Sequence, residues 1–120
     1  MNERSRNADA VLHASPETVI WGAIAAERAP VLRIRPGETV HIETVSQQPL
    51  NHADPATFFP SAGIPADQVL PEHTEIFHKV KKEAAGGSDV LTGPIYVEGS
   101  EPGDMLEVRV LDVAFRVPYR

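Results

Sequence analysis

Prolines set the first limit on this chain. Eleven occur among 120 residues, nearly twice the usual share of about 5%, and Pro49, Pro55, Pro60, Pro65 and Pro71 follow one another at near-even spacing. Each proline lacks a backbone N–H and fixes φ, so residues 46–72 can hold neither a central strand nor a long helix. The stretch reads as a Pro-rich loop. A connection of that length inside a compact domain is either a functional loop or a mobile one.

On either side the pattern changes to that of strands. Residues 19–25 mix β-branched and aromatic side chains, and 31–35 alternate apolar and basic positions as a half-buried strand does. Pro36-Gly37 turns the chain into 39–45, and Pro102-Gly103 turns it into 105–113. In both, proline presets φ and glycine supplies the positive φ of a type II turn. Such turns recur wherever antiparallel strands meet, so the two read as independent hairpins rather than as a repeat. Along 105–113, Met105, Glu107, Arg109, Leu111 and Val113 alternate with Leu106, Val108, Val110 and Asp112, which predicts a strand with one apolar face against a core. Phe115, Val117 and Tyr119 carry the alternation to the end, so a truncated chain is expected. Thr74 as N-cap, Ile76, Phe77, Val80 and Ala84 on one face, and Gly86-Gly87 as a stop predict one helix. Trp21 is expected in the core.

By length this is one domain, expected over 11–120, after a polar, frayed arm at 1–10. A formal net charge of -6, with Lys79, Lys81 and Lys82 flanked by Glu75 and Glu83, argues against a nucleic-acid surface. No run of apolar residues reaches the length of a spanning helix and the N-terminus is not signal-like, so a cytoplasmic location is expected. Without cysteine, disulfides, thiolate zinc sites, a cysteine nucleophile and a blue-copper centre are excluded. The glycines lack the spacing of a phosphate cradle, so no nucleotide cofactor is expected.

Histidine and acid residues offer few constellations. His52 and Asp54, two apart in the Pro-rich loop, would point the same way on an extended backbone, but two ligands fall short of a catalytic zinc site. A polar loop is the plainer reading of the pair. His73 and His78 are separated around a helix by about 140°, and His41 is expected on the solvated face of its strand.

Three stretches carry a resemblance. Leu91-Thr92-Gly93-Pro94-Ile95 with Glu101-Pro102-Gly103-Asp104, Ser15-Pro16-Glu17-Thr18-Val19-Ile20-Trp21-Gly22, and residues 31–44 resemble, in order, the front of the acetamidase/formamidase family of amide hydrolases. The resemblance implies a mainly β fold, an antiparallel β-sandwich, here with one helix. It implies hydrolysis of small linear amides to a carboxylate and ammonia, at a site assisted by zinc or another divalent metal. Members are considerably longer, so this chain alone is expected to be inactive or to depend on missing residues. Asp89 and Ile20 stand where the family commonly has histidine. Asp89 is a weak candidate for catalysis and for metal ligation beside His52 and Asp54, against the plainer role of capping its own turn. Thr92 is a weak catalytic candidate that equally suits a bond to a neighbouring strand. A small amide is the implied partner, and an edge left by an interrupted sheet suggests a homo-oligomer. The alternative is a non-catalytic β-sandwich module for binding or oligomerisation.

Overall fold

The computed structural model describes residues 7–83 and 86–119. The strands β1 Ala10–Leu12, β2 Val19–Trp21, β3 Leu32–Ile34 and β4 Val40–Ile42 lead into helices α1 Gln47–Leu50, α2 Pro55–Ser61 and α3 Pro71–Lys79, with a single 3₁₀ turn at Ala66–Gln68; β5 Val90–Thr92 and β6 Ile95–Val97 follow. The strands form three two-stranded sheets. β1 runs parallel to β4, β3 runs parallel to β6, and only β2 and β5 are antiparallel.

The expected antiparallel β-sandwich with one helix is therefore overturned. Two of the three sheets are parallel, and three helices occupy the middle of the described chain. The Pro36-Gly37 turn forms, with the Glu38 amide on the Arg35 carbonyl at 3.1 Å and Gly37 at φ 87°. The strands it joins nevertheless pair elsewhere, β3 with β6 and β4 with β1. A turn fixes a reversal, and alternation fixes a face; neither names the partner strand.

The second correction concerns the prolines of 46–72. Pro55 and Pro71 sit at the first positions of α2 and α3, where the missing N–H would have no partner in any case and the fixed φ already suits a helix. Prolines read as loop markers are helix starts. The helices stay short, at 4, 7 and 9 residues, as proline density requires. α3 begins before the expected Thr74 cap, with Glu72 in its first turn and His78 and Lys79 in its last, a distribution that complements the helix dipole. It ends at Lys79, so Gly86-Gly87 is not its stop; Ala84 lies outside the described residues. Gly86 instead packs where a Cβ would meet the Gly22 carbonyl oxygen at 2.3 Å, and the Gly87 N–H donates to that oxygen at 2.6 Å.

Ala14, Val19, Trp21, Leu50 and Ile76 make the buried cluster, and Val45, Phe77, Val80 and Val90 pack on it. β2 and α3 thus share one core, and Trp21 lies in it. The segment 105–113 does not become a strand: Met105, Leu106, Val108 and Val110 are 97, 68, 73 and 72% exposed, and no helix or strand follows β6 among the described residues. The turn before it does form, with the Asp104 amide on the Glu101 carbonyl at 3.0 Å. The radius of gyration is 15.7 Å, against about 14 Å for a compact chain of this length. The expected arm at 1–10 falls mostly outside the described residues, although Ala10 already belongs to β1. No helix among the described residues is long and apolar enough to cross a membrane.

Ile76 is fully buried at the centre of the cluster, so Ile76→Ala should lower the unfolding free energy by about 2–5 kcal/mol. Val108→Ala, on the exposed segment, should stay within about 0.5 kcal/mol. Urea midpoints at unchanged slope separate the two; equal effects would show that 105–113 packs in solution.

Candidate functional site

A cleft of about 570 Å3 opens between the end of β4, the helices and the C-terminal segment. Its floor is aromatic. Phe59 of α2 lies 5.5 Å from the His73 ring of α3 and 5.0 Å from the Tyr119 ring, centroid to centroid. His73 falls on the buried face of α3 because it precedes Ile76 and Phe77 by three and four residues, the spacing of a single helical face. It is 3% exposed, and its Nε2–H donates to the Ser46 carbonyl at 2.7 Å. Burial pushes the His73 imidazole down, against the opposing pull of the Ser46 carbonyl and Glu72, so it stays neutral. The Tyr119 hydroxyl donates to the Gln68 carbonyl at 2.9 Å, and burial raises its pKa.

Asp112 and Arg116 line the cleft, and Arg116 joins a set of paired charges beside it. Glu43, just past β4, accepts from the Ala14 amide at 3.2 Å and pairs with His13 at 3.0 Å and with Arg116 at 3.5 Å. Arg116 also holds Glu72. Burial alone would raise the Glu43 pKa, but the His13 hydrogen bond, the Arg116 charge and the Ala14 amide together outweigh it and hold the carboxyl below its ordinary range. Two carboxylates on one guanidinium leave no surplus positive charge for an anionic ligand.

The residues singled out from the sequence lie apart from one another in role. Asp54 Oδ1 accepts from the Ala56 amide at 2.9 Å and caps α2, while Oδ2 takes His78 Nε2 at 2.5 Å. His52 turns away and stacks on Phe58 at 6.4 Å. Asp54 is therefore occupied by a histidine other than the expected one. Asp89 is exposed, and its backbone carbonyl accepts the Gly22 N–H at 2.9 Å. Thr92 donates from Oγ1 to the Glu43 carbonyl at 2.7 Å, tying β5 to the end of β4. That is the neighbouring-strand role. His41 is half-buried and lines the cleft, whereas Ile42 beside it is 44% exposed, the reverse of the expected facing. No group of three or more histidine and acidic side chains converges as a metal site among the described residues.

Sequence reasoning missed Glu43, His73, Arg116 and Tyr119. For His73 the signal was present, since its spacing to Ile76 and Phe77 places it on the helix's apolar face. The other three meet only through long-range folding.

Stability should fall with acid in two stages. The His73 pKa is lowered in the fold, so the unfolded chain takes up that proton first; the contribution is full above 6.5 and shrinks below it. Glu43 is also lowered, so its contribution is present above 4.5 and is lost as pH drops through the depressed folded value. Urea midpoints across pH should show both, with His73→Gln, which keeps a donor for Ser46, removing the first stage and Glu43→Gln the second. A midpoint that stays flat from about pH 7 to 5 would rule out the buried neutral histidine.

Comparison with models of protein families, with curated proteins and with solved structures finds no match to this chain.

Proposed function

We propose that the chain is an acetamidase/formamidase-like protein, carrying the framework of a hydrolase for small linear amides while depending on residues outside it for turnover. One observation supports the reading above the others: the stretches that carry the resemblance converge in space. Val19, Ile20 and Trp21 pair with Thr92, Leu91 and Val90, and β3 from the third stretch pairs with β6, directly after Gly93-Pro94. Residues distant in sequence that look like family motifs thus pair with one another in two sheets, of which the β2–β5 sheet carries Trp21. The cleft, where Arg116 is held by two carboxylates, offers no surplus guanidinium charge and is compatible with an uncharged amide.

The two departures from the family pattern fall on this same ladder. The register opposes Ile20 to Leu91, and the Gly22 amide binds the Asp89 carbonyl, so positions 20 and 89 are diagonal neighbours on one face. Ile20 is 5% exposed and apolar. A pair of polar groups at those positions would meet; an isoleucine and an aspartate do not make an acid–base or metal-binding pair. The divalent metal that the resemblance implies also lacks a fitting donor set. His52, Asp54 and Asp89 are engaged or oriented separately and do not converge on one point among the described residues.

Formamide and acetamide, with ammonia release as the readout and zinc present or absent, test the proposal. The chain alone should give background rates. The same assay on a protein in which the reading frame continues should give zinc-stimulated release. Robust turnover by the chain alone would overturn the dependence on outside residues, and inertness of the continued protein toward both amides would overturn the amidase reading.

A further inference from the structure

We propose that Leu106-Glu107-Val108-Arg109-Val110 is a self-complementary strand through which two copies of this chain associate antiparallel about a two-fold axis at Val108. The inference stands apart from the amide reading and rests on the order of five residues.

With Val108 opposite Val108 of a second copy, Glu107 faces Arg109 and Arg109 faces Glu107, while Leu106 faces Val110 and Val110 faces Leu106. Every pairing is favourable. Within one copy Arg109 Nη2 holds Glu107 Oε1 at 3.0 Å, with the two side chains 79 and 80% exposed. Exchange for the same pair across strands therefore requires little desolvation. Leu106, Val108 and Val110 are 68, 73 and 72% exposed, and pairing merges two apolar rows into one. A strand of alternating residues with an open backbone is a template for another strand, and the palindromic order selects a second copy with isologous symmetry over an arbitrary partner. The Pro102-Gly103 turn, with Gly103 at φ 96°, sets where the segment leaves β6. A five-residue ribbon buries far less than the roughly 1,200 Å2 of a stable interface, so association is weak and concentration-dependent.

Sedimentation of the full chain from roughly 10 to 500 µM should show a monomer–dimer equilibrium in the weak range of such small interfaces. Glu107→Arg and Arg109→Glu each place like charges opposite one another twice and should weaken it about tenfold or more. The double variant E107R/R109E restores both pairs and should recover the wild-type constant. Because the chain has no cysteine, Val108→Cys provides a register probe and should cross-link under mild oxidation. Leu106→Cys, with its two sulfurs held roughly 13 Å apart, should not. Thermal melts of these exposed-site variants should match the parent.

A monomer throughout the range overturns the proposal. So does a double variant as weak as the single ones, or a Leu106→Cys chain that links as readily as Val108→Cys. A scrambled peptide that dissociates the dimer as well as a peptide of residues 104–111 would assign the segment to any incoming strand, and overturns it too.

Discussion

The antiparallel ladder between β2 and β5 is the contact on which the other parts depend. It joins an early segment to a late one, buries Val19, Ile20 and Trp21 together, and is continued by the Gly22–Asp89, Gly87–Gly22 and Gly93–Thr18 backbone bonds. Closing so long a loop costs entropy before any packing is gained. The buried tryptophan, with Ile76 and Phe77 of α3 and the following Val80 packed in the same cluster, offsets that cost by removing apolar surface from water. Without the ladder, β3 and β6 would have no reason to meet, and Thr92 would not reach the Glu43 carbonyl. The two parallel sheets are consequences of this closure, since a three-residue strand pair has little stability of its own.

The cleft follows from the same geometry, because β4 continues past its sheet to Glu43 while α3 presents His73 from the other side. Around it a carboxylate holds a histidine and an arginine, the arginine holds a second carboxylate, and two ring groups donate to backbone carbonyls, while His41, Thr44, Ser46 and Asp112 also line the cleft. Such an arrangement positions and rigidifies.

How much of this could be read from the residues differs by feature and for physical reasons. Both Pro-Gly turns were legible, because their requirements are local: a fixed φ, then a positive one. The existence of α3 and the core role of Trp21 were legible from periodicity and from size. The sheets were not, since Leu32–Ile34 and Val40–Ile42 read as a hairpin, yet each found a partner outside the turn that joins them. The run 105–113 carries the clearest alternation in the chain and forms no strand, because alternation states which face would be apolar and is silent on whether a neighbour exists. At the site, Asp54 announced itself as polar and close to His52, but the capping demand of α2 and the reach of His78 from α3 decided its partner. Thr92, open to a ligand or to a neighbouring strand, bonds the Glu43 carbonyl just past β4. Glu43 and Arg116 were invisible, being ordinary charges that acquire meaning only once folded together.

The prolines at the head of α2 and α3 have a consequence beyond the helices they start. A residue whose φ is already fixed in the unfolded chain has less freedom to surrender, and each well-accommodated proline contributes about 0.4–1 kcal/mol through the unfolded state alone. Pro55 and Pro71 therefore narrow the unfolded ensemble of the helical region by about 1–2 kcal/mol together. In a chain whose strands are three residues long, part of the stability is held in what the disordered chain is prevented from exploring. No inventory of native contacts would reveal that share.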